Sequence, residues 1–97
     1  MRQVQKVEII ISSLEINEVS EILDKVQVSG YTLIKNASGK GERGITYNDL
    51  DREFSNSYFM TVCTNEQQLE QLVKMITPLL KKVGGVFLVT EANWLVH

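Results

Sequence analysis

Two apolar stripes at helical spacing, set among short β-branched runs, organise this chain. Residues 4–11, Val-Gln-Lys-Val-Glu-Ile-Ile-Ile, are β-branched and partly alternating, which predicts a strand. Ser12 and Ser13 break the run and offer helix-capping hydroxyls. Ile16, Val19, Ile22, Leu23 and Val26 then fall on one face of a helix. Ser29-Gly30 is its expected stop, because a glycine accepts the left-handed conformation that ends helices. Tyr31 to Ile34 begins a second strand, and Ser57 to Thr64 reads as a third. Thr64, with Gln67 three positions later, forms a capping box ahead of the second stripe. That stripe is Leu69, Leu72, Val73, Ile76, Leu79, Leu80 and Val83. Pro78 lies inside it and removes a backbone donor, so a kink or a break is expected there. Gly84-Gly85 stops the helix, Val86 to Thr90 is a fourth strand, and Trp94 to Val96 adds a short fifth.

The order β-α-β-β-α-β predicts the ferredoxin-like α+β arrangement: an antiparallel four-stranded sheet with both helices on one face. In that arrangement the second and fourth strands are the two edges. Tyr31, Leu33, Phe59, Phe87 and Val89 are read as supplying apolar residues for both faces of the sheet. A chain of 97 residues cannot cover the second face with its own helices, so self-association is expected to cover it. The whole chain, residues 1–97, is read as one domain.

Composition narrows the function classes. The chain is 43% hydrophobic and 23% charged, ordinary for a globular protein, with a net charge of −2. That balance opposes general nucleic-acid binding, which needs a basic face. No run of 18 apolar residues is present, and the N-terminal segment does not resemble a signal peptide, so a cytoplasmic location is expected. The single Cys63 excludes an internal disulfide. His97 is the only histidine, and with one cysteine it falls short of the four ligands usual for zinc; no metal is expected. No internal histidine is available as the base that a serine or cysteine nucleophile needs, so no catalytic residue is assigned. Asp49, Asp51 and Glu53 offer carboxylates for acid-base work or a hard cation, but read first as a solvated charged loop.

The remaining chemistry lies in residues 38–53, a loop with scattered apolar residues and of a length that usually signals function or disorder. Its segment Gly39-Lys40-Gly41-Glu42-Arg43-Gly44 lets the backbone approach a ligand closely. It is not a P-loop, because it lacks the Gly-Lys-Ser/Thr ending and does not open a helix. Its amides can form an anion nest, Arg43 can hold phosphate bidentately, and Lys40 acts as a point charge. Gly84-Gly85 is a second flexible turn, which could meet the first across a subunit boundary. Both segments can equally be ordinary turns.

On these residues the chain resembles the PII signalling superfamily. Ile10 to Thr32, including Gly30-Tyr31-Thr32, follows its spacing without a gap. Gly39-Lys40-Gly41-Glu42-Arg43 resembles the Gly-Lys-Gly-Ser-Arg at the base of the T-loop in PII-like proteins of the SbtB, carboxysome-associated type. The resemblance implies a homotrimer with three clefts, each binding an adenine nucleotide. Thr32, Gly39, Lys40, Gly41 and Arg43 would line one wall and Gly84, Gly85, Val86 and Phe87 the other. Residues 40–56 would be the T-loop, which docks on a partner, and about 81–86 the B-loop. The implied partner is a membrane transporter, in the SbtB type one for bicarbonate, or a metabolic enzyme; the protein would reach the membrane only through it. The B-loop pattern Thr-Gly-x-x-Gly-Asp-Gly-Lys is missing, as is the arginine-bearing C-terminal segment, so AMP, ADP or a cyclic nucleotide is favoured over ATP. Glu42 stands where the motif has serine, and modification of Tyr47 is not carried over. The alternatives are a PII- or CutA-like structural or metal-linked adaptor that binds no nucleotide, and a slow nucleotide hydrolase using the loop carboxylates to hold magnesium.

Overall fold

The structure, a computed structural model, describes residues 1–37 and 55–95. Its elements are β1 (Arg2–Ser12), a 3-10 turn (Ser13–Glu15), α1 (Ile16–Val26), β2 (Tyr31–Ala37), β3 (Asn56–Cys63), α2 (Glu66–Val83) and β4 (Val86–Trp94). The strands form one antiparallel sheet in the order β2-β3-β1-β4, so β2 and β4 are its edges. This is the ferredoxin-like topology expected from the order of elements.

Register assigns every strand residue to a face, because successive side chains alternate. Val7, Ile9 and Ile11 of β1 lie level with Thr61, Phe59 and Ser57 of β3. These positions face the helices and join Val19, Ile22, Leu23 and Val26 of α1 and Leu72, Ile76 and Leu79 of α2 in the core. The first stripe is therefore buried apart from half-buried Ile16, and of the second Leu72, Ile76 and Leu79 are buried, Leu69, Leu80 and Val83 half-buried and Val73 exposed. The buried polar groups on this face are satisfied: Thr61 donates to the Gly30 carbonyl at 2.6 Å, and the Ser57 and Ser13 hydroxyls lie 2.6 Å apart.

The second face is furnished differently from the expectation. Tyr31, Leu33, Phe59, Phe87 and Val89 all share the helix-side register, pairing through Thr61, Ile9 and Val7. The outer face carries the other parity: Val4, Ile10, Ile34, Met60, Val62, Val86, Leu88, Ala92 and Trp94. Among these only Val4 is buried, while Ile34 and Leu88 are 53% and 51% exposed. No described element covers this face. The surplus is real, but it resides in the aliphatic positions that alternate with the aromatic ones.

Four local expectations are corrected. The cap of α1 is Gln27, not Ser29-Gly30: Gln27 takes the left-handed conformation (φ 62°, ψ 42°), with Gln27 N–H donating to Asp24 O and Val28 N–H to Leu23 O. That paired bonding is a Schellman motif, which closes the helix three residues before the glycine. The cap of α2 is Asn65, whose side chain accepts from Gln68 N–H at 2.8 Å, while the Gln68 side chain accepts from Thr64 N–H. Register of the box is thus shifted one residue from Thr64–Gln67. Helix α2 also continues across Pro78 without a break. Pro78 and Lys74 are both exposed, so the carbonyl that loses its donor faces solvent, where water can satisfy it. Finally, β4 runs unbroken from Val86 to Trp94, because β1 extends back to Arg2 and pairs with it along its whole length. Pairing overrides the weak strand propensity of Glu91-Ala92-Asn93.

Candidate functional site

Thr32 and Val86 both lie on the uncovered outer face, but at opposite edges of the sheet. Thr32 sits on β2 opposite Met60, and Val86 on β4 opposite Ile10. Three strand spacings separate β2 from β4, about 14 Å. One copy of the chain therefore does not bring Thr32 and Val86 together. Phe87 points the other way, opposite Ile9 on the helix side, and is half-buried. Gly39, Lys40, Gly41 and Arg43 lie outside the described residues, as do Tyr47, Asp49, Asp51, Glu53 and His97.

Around Thr32 the outer face forms an open hollow of about 300 Å³. Ser29, Gly30, Tyr31, Met60, Thr61, Val62 and Trp94 complete its lining. Sequence reasoning assigned only Thr32 among these to a binding wall. The missed signal was parity: Met60 and Val62 alternate with Phe59, Thr61 and Cys63 and so share the face of Thr32. Trp94 was unreadable without knowing that β4 continues to it.

Residues 4–95 match the family model of nitrogen regulatory protein P-II. The chain belongs to that family. Solved P-II structures agree with the fold. CPII of Thiomonas intermedia K12 bound to ADP and bicarbonate is 26% identical, with a TM-score of 0.79 over 93% of this chain and 86% of that one. The apo form of the same PII-like protein is 22% identical, with a TM-score of 0.75 over 93% and 89%. A PII-like signalling protein of Thermus thermophilus, TTHA0516, is 24% identical, with a TM-score of 0.72 over 94% and 88%. No curated protein sequence matches the chain significantly.

On this P-II scaffold the glycine turn has a strong packing reason. Of residues 81–86 only Gly84 and Gly85 lie outside regular elements, since Lys81–Val83 end α2 and Val86 opens β4. Gly84 has φ 81° and ψ 180°, a region open essentially only to glycine. Its N–H donates to the Leu80 carbonyl at 2.8 Å. A Cβ on Gly85 would stand 2.9 Å from the Ile10 carbonyl oxygen.

The two strand ends that flank residues 38–54 are tied together. Ser55 donates to the Asn36 side-chain oxygen at 2.9 Å, its hydroxyl lies 3.2 Å from that of Ser13, and its carbonyl accepts from Ser13 N–H at 2.6 Å. Asn36 itself is left-handed (φ 59°) at an irregularity in the β2–β3 pairing. Asparagine tolerates that conformation better than most residues. The segment bearing Lys40 and Arg43 thus leaves from a fixed base.

Two polar features complete the picture. On the outer face Tyr58 donates to Glu8 at 2.6 Å, and Lys6 lies 3.7 Å from the same carboxylate. The hydrogen bond to Glu8, with some desolvation and the nearby negative charge, raises the Tyr58 phenol above its usual pKa. Burial likewise pushes the Cys63 thiol up, which keeps it protonated and unreactive at neutral pH.

Proposed function

We propose that this chain is a signalling protein without catalytic activity that binds an adenine nucleotide between copies of itself. The observation that carries the reading is the placement of Thr32 and Val86 on one uncovered apolar face at opposite edges of the sheet. Contact between the β2 edge of one copy and the β4 edge of the next is heterologous, and heterologous contacts that close generate rings. A ring of three is the assembly that the family resemblance implies. In it the hollow around Thr32 faces the turn at Gly84-Gly85 of a neighbour, and the family resemblance assigns the phosphates to Lys40 and Arg43. The binding of ADP by CPII supports this choice of ligand.

Of residues 40–56, Ser55 and Asn56 belong to the base, since Asn56 opens β3, and the rest act as the arm that engages a transporter or an enzyme; the base at Ser13, Asn36 and Ser55 lets occupancy of the cleft bias the arm. The protein works in the cytoplasm and meets a membrane only through its partner. No described helix is long and apolar enough to cross one. AMP, ADP or a cyclic nucleotide is favoured over ATP, because Lys81-Lys82-Val83-Gly84-Gly85 stands where the family resemblance expects the B-loop pattern Thr-Gly-x-x-Gly-Asp-Gly-Lys.

A thermal-shift panel with AMP, ADP, ATP, cyclic AMP and cyclic di-AMP tests the proposal. A ligand at 100 times its dissociation constant stabilises the folded state by about 2.7 kcal/mol. For a domain of this size that corresponds to a rise in Tm of about 10 °C or more. The expected result is a selective shift with one adenine nucleotide, lost in Arg43→Ala. No shift with any nucleotide leaves the fold intact and turns the reading to an adaptor that binds none.

A further inference from the structure

We infer that Trp94 is the aromatic wall against which the base of the bound nucleotide stacks; this rests on the nucleotide reading above and assigns one residue's part in it. Trp94 ends β4, and its pairing with Arg2 puts it on the outer face. It stands outside the hydrophobic core cluster and remains 39% exposed. From there it lines the same hollow as Thr32, Met60 and Val62.

The composition of that hollow selects a ligand class. Trp94, Met60 and Val62 supply an aromatic ring, a thioether and a branched aliphatic chain, which suit a flat, apolar face. Ser29 to Thr32 supply something different. They run into and begin the edge strand β2, whose backbone N–H and C=O groups on the side away from β3 have no strand partner among the described residues. A planar ring with hydrogen-bonding groups along its edge satisfies both requirements together, and a purine base is such a ring. Thr61 does not compete for it, because its hydroxyl is already donated to the Gly30 carbonyl. The volume agrees: about 300 Å³ is the lower end of small-ligand sites and is ample for a base.

Trp94 is the only tryptophan, so its emission reports on this position alone. The test is a titration of the wild-type protein with ADP, and separately with AMP, followed in parallel by calorimetry and by tryptophan fluorescence. Stacking on an aromatic side chain corresponds to about a 5- to 150-fold change in affinity. The expected result is a change in emission that tracks the calorimetric isotherm, about a 5- to 150-fold loss of affinity in Trp94→Leu, and most of the affinity retained in Trp94→Phe. The wild-type fluorescence arm keeps the test independent of any folding defect in the variants. Calorimetric binding with unchanged emission, or with equal affinity in Trp94→Leu, overturns the role of Trp94 while the nucleotide reading stands. Absence of calorimetric binding to the wild-type protein overturns both.

Discussion

Replacing Gly85 by alanine measures how far the turn between α2 and β4 is dictated by packing rather than by a ligand. The residue has φ 135°, a conformation that side chains rarely adopt. Holding a non-glycine residue in such a region costs about 1–3 kcal/mol. The added Cβ would also meet the Ile10 carbonyl oxygen at 2.9 Å, Leu80 Cδ2 at 3.1 Å and Ile11 Cγ1 at 3.4 Å. Leu80 is a half-buried side chain and can give way, but the Ile10 carbonyl belongs to the central strand and cannot. Overpacking of this kind adds about 1–3 kcal/mol. The sum, about 2–6 kcal/mol, is a large part of the roughly 5–15 kcal/mol by which a domain is stable. Urea unfolding followed by circular dichroism, at one protein concentration, should show the midpoint lowered by on the order of 1–3 M. Gly30→Ala is the internal control, since a Cβ there meets nothing within 4 Å. If Gly85→Ala and Gly30→Ala unfold at the same urea concentration as the wild type, the packing argument is wrong.

Three further outcomes are expected. Gln27→Gly should raise stability by about 1 kcal/mol in the same assay, because it relieves a left-handed non-glycine residue and leaves the Schellman bonds intact. Leu88→Lys, at a position 51% exposed in the single chain, should leave the circular dichroism spectrum unchanged and reduce the mass seen by light scattering to that of one copy. The raised pKa of Tyr58 means that the folded state holds the phenol proton more tightly than the unfolded state, whose pKa is near 10.0. Its contribution is therefore complete below pH 10.0 and is lost as pH rises through the folded value. Urea midpoints measured from about pH 8 upward should fall above about pH 10, and less steeply in Tyr58→Phe.

What the sequence made legible was whatever depends on local periodicity. The stripe from Ile16 to Val26 and that from Leu69 to Val83 gave both helices, and the order of elements gave the sheet topology with β2 and β4 at its edges. What escaped depends on pairing between distant segments. Tyr31, Leu33, Phe59, Phe87 and Val89 look like material for two faces until the register of β1 with β3 and β4 puts all five on one. The continuation of β4 to Trp94 is decided by Arg2 at the far end of the chain, and with it the place of Trp94 at the hollow. Caps proved the least legible, because Gln27 closes α1 against the residue preference for glycine. On the candidate site, Thr32 and Gly84–Phe87 could be placed, whereas Met60 and Val62 required the register.

The central claim is that a nucleotide sits between copies, joining the β2 edge of one to the β4 edge of the next. A crystal structure of the protein grown with ADP tests it most directly. The account predicts a closed ring in which each base lies in the hollow of Thr32, Met60, Val62 and Trp94, facing Gly84–Phe87 of the neighbouring copy, with Arg43 on the phosphates. ADP held entirely within one copy, or a ring that buries the outer face and leaves these hollows empty at saturating ADP, would contradict it.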